Sequence, residues 1–191
     1  MKQLNCKLLI IFSLIFASVL AEAVEQRPNT PMIIDVNSSQ RAELWRITND
    51  GVMGGRSQGR LLFKPDHGLF TGNISLDNNG GFSSVFRYIE QSQPGLNNIS
   101  IDVEGDGQIY QLRLVIYYNG YRLAYKHDFK TLAGQRQQLS FDLSDFKATW
   151  RGRIINNAPM LQSKYIKEVG FLMTKKRPGK FDLAVYSLLL S

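Results

Sequence analysis

The chain has 191 residues, of which 43% are hydrophobic, and a formal net charge of +7 at neutral pH. Its one cysteine is Cys6. The residues after Cys6 therefore cannot form a disulfide, supply a cysteine nucleophile or bind zinc through cysteine. The positive charge favours anionic partners.

The N-terminus has the pattern of an export signal. Lys2 and Lys7 precede an apolar run over residues 8–20, and Ala21-Glu22-Ala23 supplies the small residues that a signal peptidase needs. The run is shorter than the roughly 20 apolar residues that span a bilayer. We therefore predict a cleaved signal peptide over residues 1–23, no transmembrane segment after cleavage, and a periplasmic or secreted location. Nucleic acid is then not an expected partner.

Residues 24–34 are predicted to form an N-terminal leader, which is loose over residues 24–31 with their two prolines. Residues 35–191 are predicted to form one domain. Apolar residues alternate with polar ones in most of this domain, which is the period of a β-strand. The clearest runs cover residues 99–103, 110–118, 123–129, 139–143 and 181–185. Asn119-Gly120 separates two of them and is typical of a tight hairpin. No long helix is expected, and the pattern predicts an all-β, antiparallel sandwich or barrel.

The segment from Trp45 to Ser57 reads WRITNDGVMGGRS and is rich in glycine. Its spacing differs from that of a dinucleotide loop or a P-loop, and the residues after it are predicted to form a strand rather than a helix. We interpret its glycines as residues that allow a turn or a bulge.

Catalytic chemistry has little support in the sequence. His67 follows a proline and an aspartate in a predicted turn, and His127 shares a strand face with Leu123, Tyr125 and Phe129. No nucleophile and base can be paired from these residues, so we predict that the protein is not an enzyme and has no cofactor. A structural calcium ion near Asp106 is left open.

The C-terminal third is basic. Nine lysines and arginines lie between Lys147 and Lys180, with Glu168 as the only acid. An exposed indole beside guanidinium groups suits a binding surface. The predicted partner surface consists of Trp150, Arg151, Arg153, Lys175, Lys176 and Arg177, and its partner would be a protein or an anionic envelope surface. The alternatives are a solvated basic face and a Trp150 that covers the edge of the core.

A second hypothesis is a carbohydrate-binding module. Its candidate sugar face contains Tyr125 and His127, on a strand of the predicted sandwich.

Several motifs together resemble the complex I intermediate-associated protein 30 family, over nearly all of residues 35–190. The residues that carry the resemblance most clearly are Trp45, Asn49, Asp50, Gly51, Met53, Gly54, Gly55, Ser57, Asn79, Gly80, Gly81, Phe82, Ser83, Gly105, Asp106, Gly107 and Tyr110. The resemblance implies a galactose-binding-like jelly roll in which these residues have structural roles. It also implies a non-enzymatic function, because the mitochondrial member of the family helps to assemble respiratory complex I. With the export signal, this leads us to expect a binding or assembly-factor domain of the cell envelope.

Overall fold

The computed structural model describes residues 30–174 and 177–191. The predicted signal peptide lies outside the described residues. Within them, no helix has the length and apolar character needed to cross a membrane.

The described residues form thirteen strands and five short 3₁₀ helices. The strands are β1 (Met32–Ile34), β2 (Trp45–Asn49), β3 (Gln58–Phe63), β4 (Gly68–Ile74), β5 (Phe82–Tyr88), β6 (Asn98–Gly105), β7 (Ile109–Tyr118), β8 (Tyr121–Lys130), β9 (Arg136–Asp142), β10 (Lys147–Trp150), β11 (Arg153–Ile154), β12 (Ile166–Thr174) and β13 (Gly179–Leu190). The 3₁₀ helices are Ser39–Leu44, Asp50–Met53, Asp77–Asn79, Leu143–Asp145 and Ser163–Tyr165.

The strands form two antiparallel sheets that face each other across the core. The six-stranded sheet has the order β3-β4-β13-β6-β9, with β1 also paired to β13, and the seven-stranded sheet has the order β11-β10-β8-β7-β12-β5-β2. This architecture confirms the predicted all-β sandwich of the jelly-roll class.

The alternation in the sequence decides which side chains reach the core. On β7, Tyr110, Leu112 and Leu114 are buried between the sheets, and their neighbours along the strand point to the outer face. The ring of Phe129 lies 6.2 Å from that of Phe141, which belongs to the opposite sheet. Because the described residues contain no cysteine, packing of this kind has to stabilise the domain, at roughly 1.5–3 kcal/mol for each large apolar side chain that is buried.

The end of the predicted leader belongs to the fold. Residues Met32–Ile34 form β1 and pair with Leu188–Leu190 of β13, and Ile34 is buried in the core. Residues 32–34, which the prediction assigned to the N-terminal leader, therefore belong to the sandwich, because they pair with β13.

Gly170 sits in the middle of β12, and a Cβ atom there would lie 2.1 Å from the carbonyl oxygen of Val85 on β5. We predict that Gly170→Ala lowers the free energy of unfolding by about 1–3 kcal/mol, because the two strands would have to separate. Gly51→Ala is the matched control, since a Cβ atom there meets nothing within 4 Å. Urea unfolding followed by circular dichroism measures both, and equal stability of the two variants would contradict the prediction.

Candidate functional site

The carboxylate of Asp50 is completely buried and accepts four hydrogen bonds. Its Oδ1 accepts one from the backbone N–H of Ser57 at 2.8 Å. Its Oδ2 accepts bonds from the Ser57 hydroxyl and from the backbone N–H groups of Gly81, at 2.6 Å, and Phe82, at 3.3 Å. Every hydrogen-bonding partner of the carboxylate is therefore supplied by the chain itself. We call this arrangement the Asp50 joint.

Two glycines of the motif leave room for this carboxylate. A Cβ atom on Gly55 would lie 2.4 Å from the Asp50 side chain, and one on Gly80 would lie 2.6 Å from its Oδ2. Gly54 has a different role, because its φ of 87° ends the 3₁₀ helix that Asp50 begins.

The neighbouring residue, Asn49, extends the joint. Its side-chain oxygen accepts hydrogen bonds from the backbone N–H of Gly59 and from the hydroxyl of Ser83. Gly59 lies on β3 of the six-stranded sheet, and Ser83 lies on β5 of the seven-stranded sheet. Asn49 and Asp50 together therefore hold the two sheets at one end of the sandwich.

Burial opposes ionisation of Asp50, but the hydrogen bonds from Ser57, Gly81 and Phe82 outweigh it and lower the pKa of the carboxyl group. Asp50 is thus a buried anion at neutral pH. This geometry supports the structural role that the family resemblance implies for the motif.

Asp106 organises a second turn of the family motif. Its carboxylate accepts hydrogen bonds from the hydroxyl of Tyr110 at 2.9 Å, from the backbone N–H of Asp182 at 3.1 Å, and from the backbone and side chain of Gln108. These donors tie the Asp106 turn to Asp182 on β13. Residues 30–174 and 177–191 contain no group of three or more metal-ligating side chains.

The two residues of the predicted sugar face point into the sandwich. Tyr125 is 2% exposed, and its hydroxyl donates a 2.6 Å hydrogen bond to the carbonyl of Pro159. The ring of His127 lies 4.4 Å from that of Phe141, on the other sheet. The structure therefore corrects the prediction for Tyr125, because the loop that contains Pro159 covers a ring that the local pattern left open.

Trp150 and two tyrosines are exposed at the end of the sandwich opposite the Asp50 joint. Tyr118 and Tyr121 are directly paired across the turn Asn119-Gly120, and Trp150 is paired with Arg153 across Arg151-Gly152. All four turn residues have positive φ, as in type I′ hairpins. The aromatic side chains of Tyr118, Tyr121 and Trp150 are 48%, 68% and 46% exposed. We call these three residues, with Arg151 and Arg153, the hairpin end.

Arg177 does not join the hairpin end. Strand β12 begins beside Ile116, near the hairpin end, and finishes beside Phe82, near the Asp50 joint. Its nine residues span roughly 30 Å, and Arg177 follows its far end. The prediction of one continuous partner surface is therefore wrong for Arg177. This residue is close to Trp150 in sequence, but β12 runs from the hairpin end to the other end of the sandwich before Arg177 is reached. Lys175 and Lys176 lie outside the described residues.

The outer face of the seven-stranded sheet carries a cluster that the sequence analysis did not identify. Glu168 is buried there and accepts hydrogen bonds from Arg122 at 2.7 Å, Arg46 at 3.1 Å and the hydroxyl of Tyr117 at 2.9 Å. Burial opposes its ionisation, but the arginines and the tyrosine outweigh burial and lower its pKa. The guanidinium of Arg122 also lies 4.5 Å from the ring centre of Phe86. The one sequence signal was that Glu168 is the only acid in a basic region.

The two facing sheets define an antiparallel β-sandwich of the jelly-roll class. Residues 34–185 match the family model described as Complex I intermediate-associated protein 30 (CIA30). The chain therefore belongs to this family, which confirms the resemblance. No curated protein matches the chain in sequence.

Solved carbohydrate-binding modules have a similar fold. The family 11 module of the cellulosomal cellulase Lic26A-Cel5E of Clostridium thermocellum is 11% identical, with a TM-score of 0.64 over 86% of this chain and 96% of the module. A family 11 module of the same organism, in complex with a β-1,3-1,4-mixed-linked tetrasaccharide, is 12% identical, with a TM-score of 0.63 over 84% and 95%. The family 30 module of its cellulase Cel9D-Cel44B is 9% identical, with a TM-score of 0.54 over 83% and 96%. These likenesses show a shared fold.

We predict that Asp50→Asn lowers the free energy of unfolding by about 2–4 kcal/mol at pH 7, because the amide NH₂ would face the N–H groups of Gly81 and Phe82. The exposed Asp77→Asn is the control and should change it by less than about 0.5 kcal/mol.

The difference in free energy of unfolding between the wild type and Asp50→Asn should also depend on pH. The folded-state pKa of Asp50 is lowered, so its contribution is complete above the unfolded-state pKa of about 4 and is lost as the pH falls through the folded-state value. Denaturant unfolding from pH 7 to pH 2 measures this. If this difference in free energy of unfolding becomes larger in acid, Asp50 is not ionised in the folded protein.

Proposed function

We propose that the protein is a non-catalytic, assembly-factor-like binding domain of the cell envelope that contacts a protein partner through the hairpin end. The observation that carries the proposal is the common exposure of Tyr118, Tyr121 and Trp150 at two adjacent hairpins. Membership of the complex I intermediate-associated protein 30 family supports the assembly-factor part. The predicted export signal supports the location, which is periplasmic or extracellular.

The chemistry of the hairpin end suits a protein interface. Trp, Tyr and Arg are the residue types that most often dominate binding energy at interfaces. Both turns are short and hydrogen-bonded into the sheet, so little conformational entropy is lost when they are covered. The guanidinium of Arg151 lies 5.9 Å from the ring centre of Trp150, and Arg153 is paired with Trp150 across the turn. An acidic rim on the partner would complement these charges.

The positions of the histidines support a role without catalysis. His67 is on the six-stranded side, with its Nδ1 2.7 Å from Asp66 and its ring against Tyr186. His127 packs between the sheets against Phe141 and Phe146. Neither arrangement places a nucleophile beside an imidazole.

We predict that the triple variant Tyr118→Ala/Tyr121→Ala/Trp150→Ala loses at least about tenfold in partner recovery from a soluble envelope extract, because hot-spot aromatics each contribute 1–2 kcal/mol or more. The control removes three exposed apolar side chains elsewhere, as Ile33→Ala/Val52→Ala/Met53→Ala. Quantitative pull-down with mass spectrometry measures both. Unchanged recovery with the hairpin variant, or equal loss with the control, would contradict the proposal.

A second candidate function is carbohydrate binding on the outer face of the seven-stranded sheet. It is favoured by the exposed ring of Tyr117, which the hydrogen bond to Glu168 holds in place, and by the exposed Tyr88 beside Glu168 on β5. Aromatic rings among charged hydrogen-bonding groups can stack on sugars and orient them. Solved modules with this fold are described as carbohydrate-binding.

For this candidate we predict measurable heat when at least one soluble glycan is added, and its loss in Tyr88→Ala/Tyr117→Ala. Isothermal titration with mixed-linkage β-glucan, methyl-esterified polygalacturonate and polygalacturonate is the measurement. Tyr118→Ala/Tyr121→Ala is the matched control, because it removes two exposed tyrosines from the hairpin end. No heat with any of the three glycans would exclude this candidate.

A further inference from the structure

Three cations lie side by side on the outer face of the seven-stranded sheet. Lys147 on β10 is directly opposite Lys126 on β8, and Lys126 is directly opposite Arg113 on β7. Neighbouring strands are about 4.8 Å apart, so the three side chains leave the sheet as one row across it. We call these three residues the cation row.

Few acids neutralise this row. Asp128 contacts Lys126 at 2.9 Å. Glu168, the other carboxylate nearby, is already paired with Arg122 and Arg46. Within the part of the chain that the structure describes, neither Arg113 nor Lys147 forms an ion pair. The middle of the face therefore has excess positive charge that is fixed to a rigid sheet.

Within the cation row, Arg113 differs most from an ordinary surface cation that is fully solvated. Its side chain is half-buried, its Nη1 donates to the Thr149 hydroxyl at 3.2 Å, and its Nε is buried without an acceptor. Burial and the nearby charge of Arg122 lower the pKa of Arg113 to about 10. Pairing with an incoming anion therefore stabilises this guanidinium more than it would stabilise a fully hydrated lysine.

The surroundings of the row favour a chain of sugars over other polyanions. The exposed ring of Tyr117 lies on the same face, and the guanidinium of Arg122 lies 4.5 Å from the ring centre of Phe86. The face thus offers an exposed aromatic ring that can stack on a sugar, on the same side of the sheet as the charges. A lipid headgroup surface would use the charges without the ordered rings.

We propose that the outer face of the seven-stranded sheet binds an acidic polysaccharide, with carboxylate or sulfate groups of the ligand paired to Arg113, Lys126 and Lys147. This rests on the carbohydrate candidate above and specifies the chemical class of its ligand. The cation row crosses the strands, so it also sets the direction of the ligand on the sheet.

The test is a comparison of two double variants that lose the same charge. Lys126→Gln/Lys147→Gln changes the cation row, and Arg60→Gln/Lys64→Gln changes two exposed cations on the six-stranded side. Affinity electrophoresis and isothermal titration use polygalacturonate, alginate and dextran sulfate as probes, with methyl-esterified polygalacturonate as the uncharged match. Vesicles containing phosphatidylglycerol test the lipid alternative.

We expect at least one acidic glycan to bind, the esterified glycan to bind at least about tenfold more weakly, and the cation-row variant to lose about five- to tenfold in affinity while its control does not. Equal binding of the esterified and acidic forms would overturn the proposal that the ligand is acidic. It would leave the carbohydrate candidate in place. Binding to none of the four glycans would overturn this proposal, and the carbohydrate candidate would fall with it if mixed-linkage β-glucan also gave no heat. Equal loss in the two double variants, or binding to vesicles alone, would also overturn this proposal.

Discussion

The hydrogen bonds to the Asp50 carboxylate hold together the end of the sandwich where the chain passes between its two sheets. Asp50 follows β2 of the seven-stranded sheet, Ser57 precedes β3 of the six-stranded sheet, and Gly81 precedes β5. The Ser57 hydroxyl also accepts a hydrogen bond from the backbone of Ser75, which follows β4. One buried anion thus fixes the ends of four strands, and its desolvation is offset only while all of its donors stay in place.

This constraint separates the structural part of the family motif from the surfaces that are free to bind. Polar groups at the Asp50 joint are already hydrogen-bonded to one another. The inner faces of the two sheets pack against each other, as Phe129 and Phe141 show. The exposed groups with unused binding capacity lie at the opposite hairpin end and on the outer face of the seven-stranded sheet. A stable scaffold can change such surfaces without a change in its core, which is how one β-sandwich serves different ligands.

Local patterns predicted the fold well and the site only in part. Alternation along β7 and β8 identified the strands, and Asn119-Gly120 identified their hairpin, because both depend on neighbours in sequence. The burial of Tyr125 depends on Pro159, and the Glu168 cluster joins Arg46 and Arg122 from distant strands. Such contacts follow from sheet order, which has no local signal. For the same reason the sequence grouped Arg177 with Trp150, although β12 separates them.

The central claim is that the family motif builds the scaffold while the seven-stranded sheet and its hairpins bind. Backbone amide chemical shifts, followed by NMR while polygalacturonate or a purified envelope partner is added, test it most directly. The account predicts that the perturbed amides lie on β7, β8 and β10 and at their turns, and that the amides of Ser57, Gly81 and Phe82 stay unchanged. Perturbations centred on those three amides, with β7 and β8 unaffected, would contradict it.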